Sequence, residues 1–137
     1  GGSTGDTING GAGNDIIYGK AGNDTLNGDG GADIFVFDTT LGASNIDRIL
    51  GFTVTDDLIY LSSAVFKGIS IGTLSIDAFG AGPTATAALD STDRIVFNTT
   101  TGNLLYDQDG LGGAAAVQFA TLSGWTGTLA AKNFYVF

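Results

Sequence analysis

Aspartate recurs at every ninth position near the start of the chain. Asp6, Asp15, Asp24 and Asp33 each follow a short glycine-rich stretch. Carboxylates and backbone carbonyls are the hard oxygen donors that Ca²⁺ binds. The chain has no cysteine, histidine or methionine, so thiolate and imidazole metal sites are excluded. The chemistry that this spacing indicates is therefore the binding of a hard cation, with calcium the leading candidate.

The aspartates belong to a nine-residue repeat that runs without insertion over residues 1–36. Its four lines are GGSTGDTIN, GGAGNDIIY, GKAGNDTLN and GDGGADIFV. A large apolar residue holds the eighth place of every line: Ile8, Ile17, Leu26 and Phe35. This is the nonapeptide pattern GGxGxDxUx, in which U is a large apolar residue. A single line could be an ordinary turn of a β-protein, but four lines in phase are not explained that way.

Each line combines a glycine-rich turn with a three-residue strand whose middle side chain points inward. One corner per line reverses the chain once, so a full coil takes two repeats and repeat n stacks on repeat n+2. The pattern therefore predicts a β-roll, in which two short parallel sheets face each other over the eighth-place side chains.

The stacking leaves room for ions between the turns. Stacked strands lie about 4.8 Å apart, which is close to twice a calcium–oxygen distance of about 2.4 Å. Without an ion, two aspartates about 5 Å apart repel by roughly 3 kcal/mol at an effective dielectric constant of about 20. Calcium is therefore predicted to act as a folding switch.

These residues resemble the RTX family, the calcium-binding repeats of proteins exported by bacterial type I secretion systems. The resemblance implies that stacked turns share an ion through carbonyls and aspartates of both turns. It implies one site formed by Gly2, Thr4, Asp6, Gly19, Ala21 and Asp24, and a second formed by Gly11, Gly13, Asp15, Gly28, Gly30 and Asp33. A third implied site combines Asp38 with Lys20, Gly22 and Asp24.

Three residues depart from the family pattern. Thr4 stands where glycine is usual, which predicts a distorted or frayed first turn. Lys20 and Asp29 each replace a second-place glycine. The carbonyl of Lys20 can still serve as a ligand although its charge opposes a nearby cation, and Asp29 adds a carboxylate near the last turn.

The rest of the chain reads as short strands that cover the open end of the roll. Residues 45–62 predict two strands around a polar turn at residues 53–57. They resemble the family segment DxIxDFxxxxDxIDLS, with Gly51 and Tyr60 where aspartates are common. Residues 80–89 predict a surface loop, residues 93–110 a hairpin with Phe97, Leu104 and Tyr106 facing inward, residues 114–124 a strand, and residues 129–137 a helical turn followed by a strand.

The expected fold is therefore all-β, with a short parallel β-roll of two coils followed by an antiparallel β-sandwich-like C-terminal cap. The domains are expected at residues 1–38, the calcium-binding roll, and residues 39–137, the capping and secretion-signal region.

Four further aspartates leave alternatives open. The YDQDG stretch, with Asp107 and Asp109, could form a calcium site or a solvated turn in which the carboxylates accept backbone amides. It lacks the bidentate acid that an EF-hand has at its twelfth position. Asp56 and Asp57 are expected to be turn residues.

Composition narrows the function classes. The net charge is −9 and all 14 acidic residues are aspartate, so nucleic acid and anionic membranes would be repelled. The sequence predicts no membrane insertion and no cleaved N-terminal signal. With no histidine, cysteine or glutamate, an enzyme is not expected, and any catalysis is expected in an absent upstream domain.

The resemblance implies a calcium-dependent folding and secretion module of a larger extracellular protein. Its expected partners are calcium ions and the type I secretion machinery, and it is expected to be monomeric. The alternative is a calcium-dependent carbohydrate- or surface-binding module with a polysaccharide partner. No aromatic row at regular spacing is visible in the sequence.

Overall fold

The computed structural model describes all 137 residues, and its regular secondary structure consists almost entirely of short strands. The strands are β1 (Thr7–Asn9), β2 (Ile16–Tyr18), β3 (Thr25–Asn27), β4 (Ile34–Phe37), β5 (Asp47–Leu50), β6 (Leu58–Leu61), β7 (Gly72–Thr73), β8 (Phe79–Gly82), β9 (Ile95–Asn98), β10 (Asn103–Tyr106), β11 (Val117–Ser123) and β12 (Phe134–Val136). Two 3₁₀ turns, Ile76–Ala78 and Ala131–Asn133, complete the fold. None of the helical segments is long and apolar enough to cross a membrane.

The first strands alternate between two sheets. One sheet has the order β1-β3-β5-β11-β10-β9-β8, and the other has the order β2-β4-β6-β12-β7. β1 pairs in parallel with β3, and β2 pairs in parallel with β4. The predicted stacking of each repeat on the next but one is therefore confirmed, since the glycine-rich turns reverse the chain once per repeat.

The parallel stack continues beyond the repeats. β5 and β6 stack on β3 and β4, and β11 and β12 stack on β5 and β6. This arrangement differs from the expected two-coil roll with a separate cap. The physical reason is that Ile49 and Ile59, both fully buried, continue the inward columns without a glycine-rich turn. The domain boundary at residue 38 stays a prediction, and strand pairing runs across it.

The C-terminal half adds antiparallel strands to one end of the stack. The predicted hairpin of β9 and β10 is confirmed, with Phe97, Leu104 and Tyr106 buried. The strand β11 and the turn before β12 are also where the sequence predicted them. The loop expected from residue 80 onward was wrong for its first residues, because Gly80–Gly82 belong to β8 and pair with β9.

One apolar core fills the space between the two sheets. Leu26 and Phe35 of the repeats and Ile49 and Ile59 of the next level are fully buried in the same cluster. Ile8 is only partly buried because it lies at the open end of the stack. The repeats and the later strands therefore share a core, and the repeats position their turns on a rigid two-sheet support.

Candidate metal centre

Three aspartates stack in a column along one edge of the roll. The Asp6 N–H donates to Oδ1 of Asp24 over 2.7 Å, and the Asp24 N–H donates to Oδ1 of Asp47 over 3.0 Å. Each residue stands where a turn meets its strand, so the parallel pairing of β1, β3 and β5 brings the carboxylates together. We call Asp6, Asp24 and Asp47 the odd ladder.

The opposite edge carries a second column with the same geometry. The Asp15 N–H donates to Oδ1 of Asp33 over 2.9 Å, and the Asp33 N–H donates to Oδ1 of Asp57 over 3.0 Å. We call Asp15, Asp33 and Asp57 the even ladder. The pairing of loops one with three and two with four, expected from the sequence, is the pairing that the structure has.

Each ladder contains a carboxylate oxygen that is buried and has no partner. These atoms are Oδ2 of Asp24 in the odd ladder and Oδ2 of Asp15 in the even ladder. Asp24 is only 2 % exposed. An unpaired buried acceptor is costly, and more so when it is charged. These oxygens therefore fit a cation as their missing partner.

Backbone carbonyls also face the gap between stacked turns. A Cβ built on Gly22 would lie 2.6 Å from the carbonyl oxygen of Thr4, and Gly31 lies similarly close to the carbonyl of Gly13. The carbonyls of Gly19 and Gly28 face the turns of Gly1 and Gly10 in the same way. Four carbonyl ligands implied by the family resemblance, those of Thr4, Gly13, Gly19 and Gly28, thus point toward the turn stacked on them.

Other expected carbonyl ligands already accept hydrogen bonds from the facing turn. Gly13 N–H donates to the carbonyl of Gly30 over 2.8 Å, and Gly30 N–H donates to that of Gly11 over 3.1 Å. The Gly2 carbonyl accepts a longer bond, 3.3 Å, from Ala21 N–H. A carbonyl oxygen has two lone pairs, so an ion would share these oxygens with the amides or replace the bonds.

The first glycine of each repeat makes room for a carboxylate. A Cβ on Gly10 would lie 2.6 Å from Oδ2 of Asp15. A Cβ on Gly19 would lie 2.7 Å from Oδ2 of both Asp24 and Asp47. Two carboxylate oxygens thus converge beside Gly19. No group of three or more acidic side chains lies close enough together to hold one metal ion. Any ion held here would take most of its ligands from carbonyls.

Asp47 and Asp57 are ladder residues that the sequence reasoning missed. Asp47 was left unassigned, and Asp57 was expected only in a turn, a role it does fill by accepting the Thr53 N–H over 2.8 Å. The signal was present in the sequence, because both stand two residues before an inward isoleucine. Asp24 stands at the same distance from Leu26.

Burial raises the pKa of both residues. The pKa of Asp47 rises from 3.8 to about 6, chiefly because burial desolvates its carboxylate and also because the Asp24 carboxylate repels it; the Asp24 N–H opposes the shift. Burial also raises the pKa of Asp57, against the hydrogen bonds from Thr53 and Asp33. Burial therefore disfavours the charged form of both carboxylates at the third level of the ladders.

The two residues that replace a second-place glycine have a left-handed backbone conformation. Lys20 has φ 74° and Asp29 has φ 65°, a conformation that favours glycine. Asn27 supports Asp29 through a 2.8 Å bond from Nδ2 to Oδ1. Lys20 directs its ammonium to Oδ2 of Asp38 over 2.6 Å.

Two residues of the third implied site, Lys20 and Asp38, contact each other in the structure, and calcium binding at that site stays a prediction. Oδ2 of Asp38 accepts a hydrogen bond from the Lys20 ammonium, and the carboxylate that accepts the Asp24 N–H is that of Asp47 rather than Asp38. The reason is the insertion between β4 and β5, which places Asp38 at the end of a strand and gives Asp47 the position at a strand start.

Asp107 and Asp109 cap backbone amides. Asp107 is 1 % exposed and accepts the Ala88 N–H over 3.3 Å and, more weakly, the Asp109 N–H over 3.4 Å. Asp109 accepts the Ala114 N–H over 3.1 Å. These contacts correspond to the turn-capping alternative for the YDQDG stretch.

Comparison with known families matches the repeats alone. Residues 1–35 match the RTX calcium-binding nonapeptide repeat in four copies. No curated protein and no solved structure matches the chain. The matched range holds four of the six ladder aspartates, so calcium binding is what the repeats imply for both edges of the roll.

A pair of glycine substitutions tests whether close stacking of the turns matters. Gly31 has φ 133° and its missing side chain would collide with the Gly13 carbonyl, whereas Gly30 has open space at the same turn. Gly31→Ala should destabilise the calcium-loaded protein by more than about 1 kcal/mol, and Gly30→Ala should change stability by less than that. Urea denaturation of both variants in calcium measures the difference, and equal effects would contradict the stacking.

A second prediction concerns the pH dependence of the metal-free protein. Because the pKa of Asp47 is raised to about 6 in the folded state, the folded chain binds a proton more tightly than the unfolded chain does. This proton stabilises the folded state fully below about pH 4. As the pH rises to about 6, the free energy of unfolding falls by about 2–3 kcal/mol.

Circular dichroism of calcium-depleted protein between pH 4 and 7 measures this dependence as a fall of the folded fraction when the pH rises. Asp47→Asn should flatten it, because the amide does not titrate. A metal-free wild-type protein that gains stability as the pH rises through this window would contradict the prediction.

Proposed function

We propose that this chain is a calcium-dependent folding and type I secretion module, the C-terminal RTX region of a larger exported protein. The observation that carries the proposal is the pair of aspartate ladders, each with a buried carboxylate oxygen that has no partner in the chain. The repeat match supports calcium as the ion.

The electrostatics of the ladders explain why folding would depend on the ion. Adjacent carboxylates about 5 Å apart repel by roughly 3 kcal/mol at an effective dielectric constant of about 20. The two ladders contain four pairs of adjacent aspartates, and in each pair the backbone N–H of one residue donates to the carboxylate of the next. Whole-domain stability is about 5–15 kcal/mol, so their sum is large enough to prevent folding unless a cation neutralises it.

The residues that would hold calcium lie in stacked turns. On the odd edge they are Asp6 and Asp24 with the carbonyls of Gly2, Thr4, Gly19 and Ala21; on the even edge they are Asp15 and Asp33 with the carbonyls of Gly11, Gly13, Gly28 and Gly30. Bound calcium supplies positive charge between two carboxylates. The chain contributes turns that expose carbonyls and a two-sheet core that fixes their spacing.

The ladders also connect the ion sites to the rest of the chain. Asp47 and Asp57 start the third level, on which β11 and β12 are stacked. Neutralising the carboxylates of the first two levels therefore stabilises the two sheets to which the C-terminal strands are added. Folding of the repeats and of the later strands would be coupled.

The proposed place of folding is outside the cell. Extracellular calcium modules have dissociation constants of about 0.1–1 mM. The concentration of free calcium in the cytosol is far below these values, so the sites would be empty there. The chain would stay unfolded before export and fold when it meets external calcium, because ion binding and folding are one equilibrium.

A calcium titration of wild type and Asp24→Asn tests the switch. The isosteric amide removes one charge from the centre of the odd ladder. The calcium concentration at the midpoint of the β-sheet signal should rise at least about tenfold. The metal-free chain should nevertheless become more stable, because the repulsion between carboxylates falls. Circular dichroism follows both effects.

The matched control is Asp56→Asn, which removes an exposed carboxylate outside the ladders. It should leave the midpoint near the wild-type value. A wild-type roll that is fully folded at pH 7 in excess chelator would contradict the folding switch.

Export is tested separately with a reporter fused ahead of the chain. Coexpressed with a bacterial type I exporter, the fusion should reach the medium, and it should stay in the cells when the exporter is omitted. Retention in cells whose exporter secretes its own substrate would refute the secretion role while leaving calcium-dependent folding intact.

A second candidate function is calcium-dependent carbohydrate or surface binding by the folded module. The observation that favours it is a row of tyrosines across the outer face of the five-stranded sheet.

A further inference from the structure

Asparagine followed by glycine links the odd repeats to the even ones. The chain contains two Asn-Gly pairs, Asn9–Gly10 and Asn27–Gly28. β1 ends at Asn9 and β3 ends at Asn27, and the two asparagines are in register. We call these pairs the Asn-Gly joints. Each joint leads from a strand of the seven-stranded sheet into a glycine-rich turn of the even ladder.

An Asn-Gly pair can modify its own backbone. The backbone nitrogen of the glycine attacks Cγ of the asparagine and displaces Nδ2 as ammonia, which carries away the proton of the attacking N–H. The product is a five-membered succinimide ring. Water then opens the ring at one of its two carbonyls and leaves either aspartate or isoaspartate, in which the main chain passes through Cβ and Cγ. Glycine favours the attack because it has no Cβ to obstruct it.

The fold requires a glycine after each of these asparagines. A Cβ on Gly10 would lie 2.6 Å from Oδ2 of Asp15, and a Cβ on Gly28 would collide with Oδ2 of Asp33. Both carboxylates belong to the even ladder. The close approach that places them there therefore also fixes a reactive pair at each joint.

In the folded protein, strand pairing holds the backbone of the first joint. The Gly10 N–H donates to the Asn27 carbonyl over 2.8 Å, so the nitrogen that would attack is bound to the next strand. Ring closure also requires rotation about the Cα–C bond of Asn9, which takes this residue out of the extended conformation of β1. The attack therefore requires the strand to open first.

The second joint is held more firmly than the first. Asn27 Nδ2 donates to Oδ1 of Asp29 over 2.8 Å, and Asn27 Oδ1 accepts the Asp29 N–H over 3.2 Å. Its strand, β3, is paired on both sides, whereas β1 is an edge strand and Asn9 is exposed. In the folded protein, Asn9 should therefore react before Asn27.

Isoaspartate at a joint would damage the turn that follows it. The main chain would gain one carbon directly before Gly10 or Gly28. The carbonyl of Gly28 is one of the calcium ligands that the family resemblance implies, and its position depends on the spacing between β3 and the turn. At Asn27 either product would also lose the Nδ2 donor that now contacts Asp29.

We propose that the Asn-Gly joints are modification sites, which deamidate through a succinimide in the calcium-free chain and are protected by the folded roll. The proposal rests on the calcium-dependent folding proposed above. Each isoaspartate lowers the ability of the chain to fold again with calcium. The calcium-free state therefore has a limited chemical lifetime, since chemical modification of an unfolded chain makes its unfolding irreversible.

Peptide mapping by mass spectrometry tests the proposal. Wild-type protein is incubated in mildly alkaline buffer with either excess calcium or chelator. Deamidation at both joints should be at least about tenfold slower in calcium, because it then requires local opening of the strands. Within the calcium sample, Asn9 should react faster than Asn27. Assay with an isoaspartate methyltransferase detects the isoaspartate product.

The internal control is Asn103, which is followed by Leu104. The leucine side chain obstructs the attack, so Asn103 should stay unmodified in every sample over the same time. A third sample, in calcium and concentrated urea, separates the effect of folding from that of the ion. Its deamidation rates should match those in chelator.

Circular dichroism of each sample distinguishes the two proposals. A chain that is folded in chelator would refute calcium-dependent folding. Slow deamidation in that folded sample, with fast deamidation in urea, would still support protection of the joints by the roll.

A double variant, Asn9→Gln with Asn27→Gln, tests the consequence for folding. Glutamine would have to close a six-membered ring, which forms much more slowly. After incubation in chelator and return to calcium, the double variant should recover the β-sheet signal of its own unincubated sample. Wild type should lose recovery in proportion to its isoaspartate content.

Three results would overturn the proposal. Equal deamidation of the joints in folded and in urea-treated protein would refute protection by the roll. Modification of Asn103 as fast as that of Asn9 in urea would show that glycine does not define the sites. Full recovery of the β-sheet signal by isoaspartate-containing wild type, separated by ion exchange, would refute the effect on folding.

Discussion

The close stacking of carboxylates along the two edges of the roll is the constraint on which the structure depends. Parallel pairing at one strand spacing places the backbone N–H of each ladder aspartate against the carboxylate of the next. In Asp24 that N–H satisfies one oxygen while the other stays buried and unpaired, and Oδ2 of Asp15 is also buried and unpaired. The same geometry that completes the sheets thus creates negative charge that only a cation or a proton can neutralise.

The two means of neutralisation act at different levels of the ladders. Carbonyls of the glycine-rich turns surround the first two levels, which are therefore suited to calcium. The third level, Asp47 and Asp57, starts strands that follow longer insertions, and burial raises the pKa of both residues. Calcium at the first two levels and a proton at the third are thus separate ways of neutralising buried carboxylates.

The inward and outward faces of the same strands divide two tasks. The inward columns of Leu26, Phe35, Ile49 and Ile59 are fully buried and supply the core. The outward positions are free to vary, and they differ between the sheets: threonines and asparagines pair across β1 and β3, whereas aromatic residues align across β2, β6 and β12. A binding surface could therefore form on the folded roll without disturbing its ion sites.

The sequence by itself determined the repeat, its reversal at each turn, the pairing of alternate repeats and the aspartates at their sixth places, because these follow from local periodicity and glycine turns. It also predicted the hairpin of β9 and β10, whose turn is local. The continuation of the stack through β5, β6, β11 and β12 became visible only in the folded protein, since those pairings join segments separated by long insertions. For the same reason it alone placed Asp47 and Asp57 on the ladders and aligned Tyr18, Tyr60 and Tyr135: register between distant strands is set by the packing of a shared core, which no local pattern records.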